Sequence, residues 1–149
     1  GYALSRTLEL QFGYVVQRSR FDDPEPDFGS SDFFRTPDQY GTATAIWRIT
    51  ELFDLFAGAR FTGEMKVPHY AGYIPEDRLE NTPAHWTFDA SLSRSFPFGA
   101  DSSLVVTLGG KNLTDYYQDD LDQGPNRDSG YVWGPRFPRT IYISTDIEF

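Results

Sequence analysis

The 149 residues carry a formal net charge of −9, no cysteine and one methionine, and 17% of them are aromatic. The acidic balance argues against a nucleic-acid partner, whose phosphates would be repelled. The missing cysteines exclude a disulfide framework and a thiolate metal site. No stretch approaches the roughly 18 uninterrupted apolar residues of a membrane helix, and the mean hydropathy is −0.49. That average misleads when apolar and polar residues alternate, because a barrel strand shows lipid only every second side chain.

Alternation is the dominant signal. Leu8, Leu10, Phe12, Tyr14 and Val16 are apolar, while Glu9, Gln11, Gly13 and Gln17 between them are polar or small. A period of two held this long puts one face on an apolar medium and the other on water. The polar run 22–39 reads as a long loop. A second strand over 40–49 sets Ala43, Ala45, Trp47 and Ile49 against Thr42, Thr44 and Arg48. After a short break at 50–54, Leu55, Ala57, Ala59, Phe61 and Met65 oppose Arg60, Thr62 and Glu64. A loop over about 66–83 leads to the strictest pattern, Trp86, Phe88, Ala90, Leu92 and Phe96 against Thr87, Asp89, Ser91, Ser93 and Ser95. The turn 97–102 precedes Leu104, Val106 and Leu108, set against Thr107, Gly109 and Lys111. A long loop, 114–138, then precedes Ile141, Ile143, Ile147 and Phe149, which oppose Thr140, Tyr142, Ser144, Asp146 and Glu148.

The pattern predicts six antiparallel strands in an all-β, up-and-down transmembrane barrel. Connections alternate long and short, as expected of extracellular loops and periplasmic turns. Each strand supplies the roughly 9–11 residues that cross a bilayer obliquely. Tyr40, Trp47, Trp86, Phe96 and Phe149 sit near strand ends, where an interfacial girdle lies. A soluble carbohydrate-binding β-sandwich would share the alternation but not the loop asymmetry; a passive porin is the other alternative. The smallest single-chain barrels have about 8 strands, so residues 1–149 are expected to be one segment of a larger barrel, with Phe149 at the periplasmic side.

Several motifs carry a resemblance. The run Gly110-Lys111-Asn112-Leu113-Thr114-Asp115, the run from Gly134 to Thr140 and the terminal Phe149 resemble the C-terminal part of TonB-dependent outer-membrane receptors. Phe34-Arg35-Thr36-Pro37-Asp38, the run from His69 to Arg78 and the run from Arg127 to Pro135 resemble receptors of the Bacteroidota type in particular. The resemblance implies the last six of about 22 strands, with the plug and the TonB-contacting segment outside this sequence. It implies active import of a metal chelate, cobalamin first, haem or a ferric siderophore next. The implied partners are TonB through the plug region, the rest of the barrel, outer-membrane lipid and a surface lipoprotein lid. Phe149 is similar to the terminal signal by which barrels are recognised for assembly.

Lumen-facing Glu9, Gln11, Arg60, Glu64, Asp89, Lys111, Asp146 and Glu148 are expected to meet a plug or water. Substrate contacts are expected on the long loops. The candidates are Phe34 and Arg35 (with Phe33), His69, Tyr70 and Tyr73, then Tyr117 (with Tyr116), Tyr131 and Trp133. Flat aromatics suit a macrocycle, and the competing reading is that they pack together and stiffen the rim. A neutral His69 is also a candidate axial ligand of haem iron. Asp119, Asp120 and Asp122 (with Asp128) form an acidic cluster; residues 120–124 resemble the start of an EF-hand loop, making calcium the one cofactor considered. Ser91 and His85 are the nearest approach to a hydrolase pair. Ser91 falls on the lumenal face, where a lipid-cleaving nucleophile could not work, so no enzyme activity is expected.

Overall fold

A computed structural model describes residues 2–5, 7–99 and 101–149. It contains nine strands and, among the described residues, no helix: β1 (Tyr2–Ser5), β2 (Leu8–Val16), β3 (Gln39–Thr50), β4 (Phe53–Thr62), β5 (Met65–His69), β6 (Arg78–Thr82), β7 (His85–Phe98), β8 (Ser102–Lys111) and β9 (Thr140–Glu148). Seven of them form one antiparallel up-and-down sheet in the order β1-β2-β3-β4-β7-β8-β9, and β5 pairs with β6 in a separate hairpin. The six strands expected from alternation are all present. β1, too short to show a period, adds a seventh. The hairpin falls in a stretch that reads as loop, because its five-residue arms, one containing Pro68, give no sustained alternation. Met65 is a correction: it opens β5 and packs on the loop core, off the outer row of β4.

Register converts the alternation into two continuous surfaces. One cross-strand row runs Leu10, Ala45, Ala57, Ala90, Gly110, Ile141, and the next runs Phe12, Ala43, Ala59, Phe88. The opposite face carries Gln11, Thr44, Gly58 and Asp89 in one row and Gly13, Thr42, Arg60 and Thr87 in the next. The apolar face is uncovered: Phe12 is 79% exposed and Ile143 70%. A compact domain of this mass would expose about 7,700 Å²; this chain exposes 10573 Å². The sheet is a single layer with no core of its own. The buried apolar side chains among the described residues are Val67, Tyr131 and Trp133, all outside the sheet in the long-connection layer.

The uncovered face has the dimensions of a lipid-facing band. From Trp86 to Phe96 is ten residues along β7, which at barrel tilt spans about 25 Å, the height of such a band. At the long-loop rim Tyr14 stacks near Phe61 (6.4 Å), Phe61 meets Trp86 (5.0 Å) and Trp86 meets Phe88 (6.0 Å). Gly41 lies between Tyr14 and Phe61 in the register, and the Tyr14 ring covers it; a Cβ there would stand 2.8 Å from Tyr14 Cδ2. On the lumenal face Tyr142 covers Gly109 in the same way, its ring occupying the space a Cβ would need. Aromatic cover of a strand glycine fills the gap that the missing side chain leaves and pins the register.

This geometry makes Gly109→Ala an overpacking substitution, expected to cost about 1–3 kcal/mol. Adding Tyr142→Ala should return much of that loss. Urea unfolding of the protein from vesicles checks it, and additive single effects would contradict the ring-over-glycine contact.

Candidate functional site

All three long connections leave the same end of the sheet and pack into one layer. Its floor is the neck of the third connection. Asn112, at the end of β8, adopts φ 48° and is 6% exposed. Its side-chain NH2 donates to the Tyr116 carbonyl (2.8 Å) and the Phe137 carbonyl (3.1 Å), and its Oδ1 accepts from the Tyr116 amide (3.2 Å). Asparagine tolerates the left-handed region and can satisfy backbone groups locally, which suits this corner. Asp115 accepts from the Arg139 amide (2.9 Å) and the Arg139 guanidinium (3.2 Å), tying the start of the loop to its end. The motif around Asn112-Leu113-Thr114-Asp115 is therefore a clasp that closes a long loop.

Above the clasp lies the layer's core. His69 stacks on Tyr131 with centroids 3.8 Å apart and planes 2° from parallel. Its Nε2 lies 2.9 and 3.1 Å from the two Asp122 carboxylate oxygens, and Glu80 stands 3.7 Å from Nδ1. The Asp128 amide donates to Asp122 Oδ2 (2.9 Å), and the Tyr131 hydroxyl donates to Asp120 (2.6 Å). Gln118 bridges the Tyr131 carbonyl and the Trp133 amide. Burial works to raise the Asp122 pKa, but the Asp128 amide and His69 outweigh it and hold the carboxyl below its ordinary value. Burial, then the Asp120 hydrogen bond, push the Tyr131 hydroxyl well above the usual phenol range. His85 stacks on Tyr116 at 4.5 Å.

These contacts sort the loop candidates. His69, Tyr131 and Trp133 are interior: they are 3%, 3% and 9% exposed and hold the loops to one another. Their burial favours the packing reading over substrate contact; sequence gives no depth for a loop residue. Arg35 also acts within the layer, donating to the Gly130 carbonyl (2.5 Å). Tyr70, Tyr73 and Tyr117 remain on the surface, and Phe34 joins an aromatic group with Phe21, Phe28 and Tyr70. Phe149 is 94% exposed on the apolar side.

The acidic run and the Ser91–His85 pair can also be placed. Asp120 and Asp122 are engaged by protein donors, and among the described residues no three His, Asp or Glu side chains are placed to hold one metal ion. Ser91 and His85 share the lumenal face but stand six residues apart, roughly 20 Å along one strand, too far to act as a nucleophile and base.

The site that sequence reasoning missed is a cavity of about 630 Å³ on the lumenal face just below the loop layer. Thr42, Arg60, Asp89 and Lys111 line it from the sheet, and Arg136 and Phe137 from the third connection. Arg60, Lys111 and Arg136 have no ion-pair partner among the described residues, while Asp89 accepts the Asn112 amide at 2.8 Å. The sequence holds part of the signal, since Arg60 and Lys111 fall on the lumenal register. Residues 135–138 belong to the motif from Gly134 to Thr140, but nothing in that motif shows its return beneath the rim.

No protein-family model matches this sequence, and no curated protein matches it. Among solved structures the chain is similar to the ferric-catecholate import receptor Fiu from E. coli K12, in its closed form. The TM-score is 0.66 and the identity 25%, over 97% of this chain and 19% of that one. In fold, the chain matches a segment of a TonB-dependent receptor barrel. It spans about a fifth of the length of the structure it matches. The likeness speaks for the receptor class and for an outer-membrane setting, and does not bear on the Bacteroidota type. The matched protein is an import receptor.

Asp122→Asn should loosen the loop layer, because it removes the charge that strengthens the hydrogen bond from the Asp128 amide. Amide exchange at Val67, His69 and residues 131–133 checks it. Because the folded Asp122 pKa is lowered, its contribution is fully present above the unfolded value of 3.8 and fades as pH falls through the lower folded value. Unchanged exchange in the variant at neutral pH would show that Asp122 is dispensable.

Proposed function

We propose that this chain is part of an outer-membrane receptor that actively imports a metal chelate, with the long connections outside and the short turns and the end of β9 facing the periplasm. The observation that carries this reading is the pairing of one uncovered apolar face with a cation-lined lumenal cavity under a packed loop layer. A passive pore needs neither the roof nor the cavity. Cobalamin is the first substrate that the sequence resemblance suggests, with haem next, and no feature of the cavity favours either. Arg60, Lys111 and Arg136 favour an anionic chelate, for which unpaired cations near low-dielectric walls supply both attraction and capture rate. The ferric catecholate imported by the similar receptor belongs to that class. Ferric siderophores bearing negative charge are therefore the substrates this reading puts first. Energy coupling would come through TonB and a plug region elsewhere in the protein. The exposed Tyr70, Tyr73 and Tyr117 would make the first substrate contact or seat a covering lipoprotein.

The test uses bacteria lacking their own ferric-chelate receptors and expressing the whole protein. Growth on an anionic ferric catecholate that stops when the inner-membrane proton gradient is dissipated supports the proposal. Growth that survives dissipation would indicate a passive pore, and growth dependence on cobalamin alone would overturn the substrate class. Replacing Arg60 and Lys111 together by Gln should weaken binding of the ferric catecholate about tenfold or more, equivalent to at least ~1.4 kcal/mol. A neutral chelate should bind the variant as it binds the unaltered protein.

A further inference from the structure

The uncovered apolar face carries one charged side chain. Along β2, β3, β4, β7, β8 and β9, every outward position within the paired rows is apolar or uncharged except Arg94. In the register it sits beside Phe53 on β4 and Val106 on β8, and Thr145 follows on β9, in the same row and facing the same way. The guanidinium lies 4.6 Å from the centre of the Phe96 ring and 5.3 Å from that of Phe53. Among the described residues Arg94 has no carboxylate in ion-pair range. The nearby Asp54 is on the lumenal face, paired with Arg48, and Glu148 accepts from Ser103 on that same face. An arginine in this position is costly at mid-bilayer and tolerable within reach of headgroups. Arg94 is four residues from Phe98 at the short-turn end, so its long side chain reaches the headgroup level on that side.

Toward the middle of the membrane the same face is hollowed. Ala43, Ala45, Ala57, Ala59 and Ala90 line an apolar depression of about 540 Å³, with Phe12 and Phe88 on its borders. Ala90 lies four residues from Arg94 on the same strand, roughly 13 Å, within the reach of an acyl chain hanging from a phosphate held at Arg94. A cation without a carboxylate partner and an apolar depression lie along one strand, in the order in which a lipid presents its parts.

We infer that Arg94 and the alanine depression form a binding site for one phospholipid of the periplasmic leaflet, its phosphate on Arg94 and an acyl chain over Ala57 and Ala90. The guanidinium offers a planar pair of donors to phosphate oxygens, Phe53 and Phe96 shield that contact from water, and the small side chains let the acyl chain lie close to the sheet. The headgroup preference is anionic, since an added ammonium near the phosphate would meet Arg94 unfavourably. This inference rests on the barrel reading and on the short turns being periplasmic.

The test titrates the whole detergent-purified protein with dioleoyl-phosphatidylglycerol, with lipid A in a parallel arm, and counts retained lipid by native mass spectrometry. Arg94→Gln removes the charge, Arg94→Lys keeps it as a point charge, and Ala57→Leu fills the depression without touching Arg94. Heat-modifiable migration on gels shows that each variant is folded. The expected result is tenfold weaker retention in Arg94→Gln, partial recovery in Arg94→Lys, and a several-fold loss in Ala57→Leu. Equal retention across folded variants overturns the site, and preference for lipid A overturns its assignment to the periplasmic leaflet. A protein that is soluble without detergent would instead sink the barrel reading itself.

Discussion

In hydrocarbon no water is present to satisfy an amide, so every backbone N–H and C=O of a spanning segment must find a partner within the protein. That requirement shapes the rest of this structure. It calls for long strands paired edge to edge, and the six spanning strands β2, β3, β4, β7, β8 and β9 answer it with 9 to 14 residues each, in continuous register but for one shift between Arg48 and Thr50 at the short-turn end of β3 and β4. It also leaves each side chain one of two solvents. A single sheet between lipid and water has no interior, and the energy that a soluble domain gains from a core is here drawn from lipid contact and ladder hydrogen bonds. Glycines covered by neighbouring rings, Gly41 under Tyr14 and Gly109 under Tyr142, show side-chain packing working within one layer.

The conventional core moves to where water returns. Beyond the rim, loops of 22, 22 and 28 residues between spanning strands would be too mobile to define a site. Here they are held by a buried network of few residues: Asn112 at the base, Asp122 between His69 and the Asp128 amide, and Gln118 under Tyr131 and Trp133. Buried polar groups that are paired rigidify their surroundings, and those left unpaired are costly; the side chains of Asn112, Asp122 and Gln118 are engaged, while His69 Nδ1 is buried without a hydrogen-bond partner. The loop layer can therefore roof the lumenal cavity with fixed geometry. That links the clasp at Asn112 to the placement of Arg136 and Phe137 against Arg60 and Lys111.

The sheet is legible in the sequence because a period of two is local. Trp86 to Phe96 announces both faces of β7 without knowledge of its neighbours, and the placement of Arg60, Asp89 and Lys111 on the lumenal side follows at once. The loop layer is not legible, because burial there depends on contacts between residues far apart in the chain. His69 meets Asp122 across 53 residues and Arg35 meets Gly130 across 95. Nothing local separates the interior Tyr131 from the exposed Tyr117, and nothing local shows that Asp120 and Asp122 are occupied by Tyr131 and His69. The β5–β6 hairpin escapes for a similar reason, since Pro68 and short arms obscure its pairing until both strands are seen together. Arg94 is visible in the sequence as a break in an apolar row; that it stands on the outer surface without a carboxylate partner requires the register.

The central claim is that the two faces of this sheet meet different solvents. Single cysteines can be placed in turn from 86 to 96 on β7 of the membrane-inserted protein, with any cysteine outside these 149 cysteine-free residues replaced by serine, and labelled with a nitroxide. Accessibility to oxygen, which concentrates in lipid, and to a water-soluble nickel chelate is then read at each position. The account predicts two period-two profiles in antiphase, with oxygen highest at Phe88, Ala90 and Leu92 and nickel highest at Thr87, Asp89 and Ser91. Nickel access at every position, without alternation, would contradict it.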